Sequence, residues 1–170
     1  MSNHFIYGSS SLLFLITTAN AFIYSKLFLW KFFNLLLIFA SYLCNAYGEY
    51  YPKFILFDYI TISLLGLSYI NQIYINCPYI LITIYEYNYY NSIYNSKNLI
   101  FTSAIIKSSI NTYYVDTTYF YIITISSIAS IIIYITRLKM NNIRNYKYIF
   151  LTYLFHITIT LIVYISSFTV

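Results

Sequence analysis

Charged side chains are scarce in this chain of 170 residues, of which nine are Lys or Arg and four are Asp or Glu. Soluble domains carry about 25% charged residues, whereas the fraction here is 8% and the mean hydropathy is +0.69. A surface with so few charges is poorly wetted, so the class of soluble globular proteins is excluded. Intrinsic disorder is excluded as well, because it requires low hydrophobicity and high charge.

Glycine and cysteine are also scarce, with three and two residues. Gly8, Gly48 and Gly66 lie far apart, so the chain has no glycine-rich loop that cradles a phosphate. Cys44 and Cys77 both lie in apolar stretches, which excludes a disulfide scaffold. The sequence contains no HExxH, CxxC or GxSxG motif, so the usual signatures of soluble metal and catalytic sites are absent.

Long apolar stretches fill most of the chain. A helix needs about 20 mostly apolar residues to cross a bilayer, where other open structures leave the backbone unsatisfied. We therefore predict a single integral membrane domain over residues 1–170, an all-α polytopic transmembrane helical bundle of six or seven spans. The clear spans are A (9–25), B (30–47), C (54–76), F (117–136) and G (148–168).

The segment between spans C and F leaves two alternatives open. Cys77 and Pro78 predict a helix boundary, because the residue before proline disfavours the helical conformation and proline suits a first turn. The apolar run 79–87 is short, and a polar, tyrosine-rich stretch follows it. Either a short span D ends near Tyr90 and a separate span E covers 98–111, or the two are pieces of one irregular span.

Positive charge is concentrated in one loop, between spans F and G, which is expected to face the cytoplasm. With six spans Lys26 and Lys31 lie on the same side as this loop, and with seven they lie opposite. The charge rule favours six spans, but we prefer seven because of the motif order described below. We interpret the excess of Lys and Arg as a signal that orients the chain in a bilayer, and we predict no nucleic-acid partner. The positive residues of the loop are Arg137, Lys139, Arg144 and Lys147.

Two ionisable side chains lie within predicted spans, Asp58 in span C and His156 in span G. Such a group costs about 2.5–3.5 kcal/mol on insertion scales, so each is a functional hypothesis. No lysine or arginine lies at a comparable depth, so we expect the two to interact, directly or through water. Three further groups, Glu86, Lys107 and Asp116, lie near span ends, where we expect side chains to reach headgroups or water.

Motifs flank the turn between spans B and C. Ser41 and Asn45 are four residues apart and share a helix face. Asp58 and Tyr59 follow at the start of span C, in the stretch FASYLCNAYGEYYPKFILFDYITISLLG, and His156 lies in the last span. This layout resembles the superfamily of hemolysin III, the progestin and adiponectin receptor-like proteins and the alkaline ceramidases. In that family the second helix ends with Ser-x3-His, the third begins with Asp, and the last carries His-x3-His.

The resemblance implies a seven-helix membrane hydrolase in which a zinc-activated water cleaves amide or ester bonds in lipids. It assigns catalytic roles to Asp58 and Ser41, and metal ligation to His156 and Asn45. Asn45 and Thr152 stand where the family has histidines, and catalytic zinc takes three protein ligands. The resemblance therefore implies a degenerate zinc site with weak or no hydrolase activity.

The chain also has an alternative interpretation, a structural or accessory subunit of a membrane complex with no catalytic site. Its polar residues would then serve helix packing alone. The lipid bilayer is the expected environment in both cases. A lipid ligand follows from the first interpretation, and other membrane subunits as partners follow from the second.

The sidedness of the chain is directly testable. Seven spans put Ser2 and the loop that contains Asn142 on the same side of the membrane, and the positive-inside rule makes that side cytosolic. Cysteine-accessibility labelling of Ser2→Cys and Asn142→Cys, applied separately from each side, is expected to modify both positions from the cytosol. Labelling of the two positions from opposite sides would contradict the seven-span topology.

Overall fold

A computed structural model describes residues 4–70, 73–140 and 146–169 of the chain. These residues form an all-α bundle without a strand, which confirms the predicted fold class. Ser2 and Asn142 lie outside the described residues. The helices are α1 (His4–Ser9), α2 (Phe14–Tyr24), α3 (Phe28–Tyr47), α4 (Pro52–Ile70), α5 (Ile73–Tyr90), α6 (Tyr94–Val115), α7 (Thr117–Leu138) and α8 (Tyr146–Ser166).

A 3-10 turn over Ser10–Leu13 joins α1 directly to α2. The described chain therefore folds as seven successive helical segments, in agreement with the preferred count. Spans D and E are two separate helices, because α5 and α6 are divided at Asn91, whose φ of 49° is in the left-handed region. Asparagine is one of the few side chains that tolerate this conformation.

The distribution of side chains in the bundle is that of a membrane protein. Helices α3, α4, α7 and α8 are long and apolar enough to cross a membrane. Large apolar side chains cover the outer surface, as on α7, where Ile125 is 67% and Ile132 is 59% exposed. Polar residues are as prominent as apolar ones among the buried positions that the structure describes. Water favours the reverse distribution, whereas a lipid environment favours this one.

Six of the seven segments form a closed ring. In order around the ring, α2, α3, α4, α6, α7 and α8 each contact the next, and α8 returns to α2. Helix α5 lies outside this ring, against α6 and more lightly against α4. The ring leaves room for an internal cavity, and α5 does not contribute to it.

The first and last segments of the ring run in the same direction. Ser9 in α1 hydrogen-bonds the hydroxyl of Tyr153 in α8, and Asn20 in α2 donates to the Tyr164 carbonyl at 2.8 Å. Both pairs are separated by 144 residues, so the two segments lie parallel and in register. A chain with seven spans has parallel first and last helices, whereas a chain with six spans has antiparallel ones.

The predicted boundary at Cys77 and Pro78 is wrong. Helix α4 ends at Ile70 instead of continuing to residue 76, and Pro78 lies inside α5, five residues after its first residue. Proline removes one backbone hydrogen bond from a helix. Where water is excluded, an end at that point would leave more backbone groups unpaired, and proline is therefore tolerated inside such helices.

The charged groups expected near span ends bind helix termini, and of the three only Asp116 is also exposed. Glu86 is buried, and its carboxylate accepts the backbone N–H groups of Asn95 and Ser96 at the start of α6. Lys107 donates to the last carbonyls of α4, at 2.6 Å to Ile70. Asp116 caps α7 by accepting from the backbone of Thr118 at 2.7 Å. These bonds satisfy terminal groups, and their charges match the helix dipole.

Many hydroxyl side chains in the apolar helices form their hydrogen bonds within their own helix. A serine or threonine inside a helix donates to the carbonyl three or four residues earlier, so it needs no partner from another helix. This bond is formed by residues in every long helix of the ring except α3. Examples are Thr17, Thr61, Thr112, Thr124 and Thr152.

Helices α4 and α6 pack closely at Gly66. A Cβ atom at this position would lie 2.8 Å from Cγ2 of Ile100, which is fully buried, and 3.7 Å from Cβ of Ala104. Cγ2 is attached to the branched Cβ and has little freedom to move. The contact between the two helices therefore depends on the missing side chain.

We expect Gly66→Ala to lower the thermal midpoint of the protein in detergent, although alanine is the better helix former by about 1 kcal/mol. Ile100→Ala alone should destabilise through the cavity that it leaves. The double variant removes the clash, so its loss should be smaller than the sum of the single losses. Gly66→Ala with an unchanged or higher midpoint would contradict the predicted close contact.

Candidate functional site

An internal cavity of about 850 Å³ lies at one end of the ring, between the start of α8 and the end of α3. The volume is in the range of about 300–1,000 Å³ that is usual for small-molecule sites. The walls come from α3, α4, α6, α7 and α8, with a contribution from the Ser10–Leu13 turn. The five residues that the sequence motifs point to all line it. They are Ser41, Asn45, Asp58, Thr152 and His156.

The convergence of these residues follows from helix direction. Ser41 and Asn45 lie in the last two turns of α3, and Asp58 lies six residues after the start of α4, about 9 Å along its axis. His156 is ten residues into α8, about 15 Å along that axis. Because the turn between α3 and α4 and the loop before α8 lie at the same end of the bundle, the three helices bring these side chains to one cavity.

Ser41 and Asn45 are bound to each other and to the Ser10–Leu13 turn. The Asn45 side-chain nitrogen donates to the carbonyl and hydroxyl oxygens of Ser41, at 2.8 and 3.2 Å. Ser11 donates to the Ser41 hydroxyl oxygen at 3.1 Å. The pair therefore fastens α3 to the first helical segment at the edge of the cavity.

The Asp58 carboxyl group interacts with one hydrogen-bond donor and with two positively charged side chains. The residue is 8% exposed, and the thiol of Cys44 hydrogen-bonds its carboxyl group. Its nearest charged neighbours are Lys97 and Arg137. Its Oδ1 atom is buried and has no hydrogen-bond partner among the described residues.

His156 is also nearly enclosed, at 5% exposure. Its ring packs against Phe14, with centroids 5.1 Å apart, and lies within hydrogen-bonding range of the Ser10 backbone. Nδ1 is buried and has no partner among the described residues. Because the bond to the Ser10 carbonyl requires N–H on the other ring nitrogen, Nδ1 is the acceptor of a neutral imidazole.

The expected direct interaction between Asp58 and His156 is not formed by Asp58 Oδ1 and His156 Nδ1. Asp58 Oδ1 and His156 Nδ1 are both without a partner, and so is the hydroxyl of Ser10, which lines the same cavity. A buried polar atom without a hydrogen bond costs about 1–3 kcal/mol. A molecule in the cavity that donates to these acceptors relieves this cost, which keeps a bridged interaction as the prediction.

The residues present do not fit a catalytic zinc ion. The described residues contain no group of three or more His, Cys, Asp or Glu side chains that is close enough to hold a metal. The Asn45 nitrogen and the Thr152 hydroxyl already donate to oxygens of α3 and α8. Amides and hydroxyls are also poor zinc ligands. We therefore derive no chemical step through a metal.

Two cations line the cavity, and the sequence analysis did not assign either of them to the site. Lys97 is 8% exposed, and its ammonium lies 4.0 Å from the ring centroid of Tyr59. The Arg137 guanidinium lies 5.1 Å from the ring centroid of Tyr148. Neither forms an ion pair with another described residue. Cation–π contacts hold the two groups in position without neutralising their charge.

Cys44 was also missed, and the sequence contained a signal for it but not for Lys97. Cys44 is three residues after Ser41 in the same helix, so it shares the face that the motif had already identified. Lys97 was assigned to a polar connection because span E was predicted to begin at residue 98. The structure begins α6 at Tyr94, and this turns Lys97 into the cavity from the first helical turn.

The cavity is polar and cationic near the loops and apolar farther into the bundle. Toward the loops it is lined by the cations, Asp58 and hydroxyl groups. Toward the middle of the bundle it is lined by apolar side chains that include Leu37, Leu65, Phe101, Ile105, Ile159 and Val163.

Comparisons with known proteins add no family to this description. No known family model, no curated protein and no solved structure matches the chain. The site is therefore interpreted from its own geometry and chemistry.

We expect the purified protein to contain well under one zinc ion per chain, because two of the three imidazoles that such a site requires are replaced. Elemental analysis of protein purified without chelators measures this directly. The variant Asn45→His with Thr152→His should raise zinc affinity if the two positions correspond to the family's ligands. Stoichiometric zinc in the unchanged protein that is lost in His156→Ala would contradict this expectation and restore a hydrolase assignment.

Proposed function

We propose that this chain is a multi-pass integral membrane protein of hemolysin III-like architecture that binds a single-chain amphiphile with an anionic headgroup in its cavity. In this proposal binding replaces metal-dependent hydrolysis of lipid amides or esters. The observation that carries the proposal is the presence, in one cavity, of two cations that form no ion pair with another described residue and of an apolar interior.

Charge supports an anionic headgroup. Lys97 and Arg137 supply two positive charges to the cavity, and aromatic rings hold both in place. Two carboxylates also line it, the buried Asp58 and the exposed Glu49. The electric field of these cations is strong in the cavity, because low-dielectric walls exclude water. Guanidinium and ammonium groups are also the side chains that best donate charge-assisted hydrogen bonds to carboxylate or phosphate oxygens.

Shape and position support a lipid-like body for the ligand. The apolar part of the cavity lies farther along the helices than the cations, so a headgroup held at Lys97 directs a hydrocarbon chain toward Ile159 and Val163. Burial of an alkyl chain is favourable by about 0.8 kcal/mol for each CH₂ group. The surrounding bilayer supplies such molecules at high local concentration.

Binding of radiolabelled palmitate to the purified protein in detergent tests the proposal, with hexadecanol as the uncharged competitor. We expect palmitate to bind and hexadecanol to compete weakly. Lys97→Met and Arg137→Met should each weaken binding by roughly 10-fold or more, because a hydrogen bond to a charged group contributes about 1.5–3 kcal/mol. Lys97→Arg should retain most of the affinity.

Lys139→Met is the matched control for these variants. It removes the same charge two residues from Arg137, but Lys139 is exposed and does not line the cavity. It should leave binding unchanged. No saturable palmitate binding, or equal binding of hexadecanol with no effect of the cavity variants, would contradict the proposal and favour the accessory-subunit alternative.

A further inference from the structure

Two buried acceptors without partners lie beside the cationic part of the cavity. Asp58 Oδ1 and His156 Nδ1 each lack a hydrogen bond among the described residues, and both side chains line the cavity. Both residues are more than nine-tenths buried. They belong to different helices, α4 and α8, so a group that satisfies both must lie between these helices.

From this arrangement we infer that the ligand carries a hydrogen-bond donor, a hydroxyl or an amide N–H, close to its acid group, and that Asp58 Oδ1 or His156 Nδ1 accepts its proton. This inference rests on the proposed function and narrows the ligand to acids substituted near the headgroup. The distinction from an unsubstituted fatty acid is chemical, because a plain carboxylate offers these two acceptors no proton.

The charges around Asp58 favour such a donor. An acid group held at Lys97 and Arg137 lies within electrostatic range of the Asp58 carboxylate, since the charges of both cations act on that carboxylate. Two carboxylates at short range repel each other. A hydroxyl placed between them donates to Asp58 and reduces this repulsion, whereas a ligand without one leaves Oδ1 unpaired.

The acceptor character of the site is fixed by its own bonds. The His156 ring is oriented by Phe14 and by the Ser10 backbone, which leaves Nδ1 as the acceptor atom. The Asp58 carboxyl already accepts from the Cys44 thiol, so Oδ1 is the oxygen that remains. The hydroxyl of Ser10, also without a partner, lies in the same wall and is able to accept or donate.

Competition against radiolabelled palmitate with α-hydroxypalmitate and β-hydroxypalmitate tests the inference on the unchanged protein. We expect at least one hydroxy acid to bind roughly 5- to 10-fold more tightly than palmitate, the gain of one net hydrogen bond. Equal affinity of all three acids means that water satisfies the acceptors, and this would overturn the inference while the proposed function stands. Failure of all three acids to bind would instead contradict the proposed function.

Variants of Asp58 and His156 identify the residues that produce the preference for the hydroxy acid over palmitate. Asp58→Leu removes one acceptor at similar size, and His156→Phe keeps a ring without nitrogen. Because one hydroxyl donates to one acceptor, one of the two variants should abolish the preference for the hydroxy acid while palmitate still binds. Asp58→Asn, which keeps an acceptor oxygen, should retain part of the preference for the hydroxy acid. Preference that persists in both Asp58→Leu and His156→Phe would overturn the inference.

Thr160→Val is the matched control. The Thr160 hydroxyl is also buried and has no partner among the residues that the structure describes. The residue lies one turn beyond His156 in α8, but it does not line the cavity. Its loss should not change the preference for the hydroxy acid. A change in preference as large as that of His156→Phe would show that the effect is a general consequence of repacking α8 and would contradict the inference.

Discussion

The alignment of the first helical segment with α8 is the constraint on which the rest of this structure depends. Two hydrogen bonds at equal sequence separation, from Ser9 to Tyr153 and from Asn20 to the Tyr164 carbonyl, hold these segments parallel. In a medium that offers no competing partners, such bonds specify which helices meet. Closing the ring in this direction brings the loop before α8 to the same end as the turn between α3 and α4. Without that closure, Asp58 and His156 would line different ends of the bundle.

The buried polar groups of the bundle divide into two kinds. Most are satisfied within the fold, either by a carbonyl of their own helix or at a helix end, as Glu86 and Lys107 are. These groups hold the architecture together and do not call for a ligand. The second kind lacks a partner among the described residues: Asp58 Oδ1 and His156 Nδ1 line the cavity, whereas Asn34 Oδ1, Asn76 Oδ1 and the Thr160 hydroxyl do not. Since an unpaired buried group is costly, its persistence beside a cavity is the physical argument for binding.

Much of the fold and part of the site could be predicted from the sequence, for identifiable physical reasons. Long apolar runs fix the spans that became α3, α7 and α8, because only a helix satisfies their backbone in lipid. The spacing of Ser41 and Asn45 correctly placed both on one helix face. Pro78 misled the prediction, because a membrane helix tolerates proline where a soluble one ends. The start of α6 was also unpredictable, since Glu86 fixes it from another helix, and Lys97 was missed for that reason.

The central claim is that the cavity, and not the outer surface, holds the hydrocarbon chain of an acidic amphiphile. Photolabelling with a palmitate analogue that carries a diazirine at the end of its chain, followed by peptide mass spectrometry, tests it directly. The account predicts labels on the apolar wall of the cavity, near Phe101, Ile105 or Ile159, which excess unlabelled palmitate removes. Labels confined to lipid-facing positions such as Ile125 and Ile132, unaffected by the competitor, would contradict it.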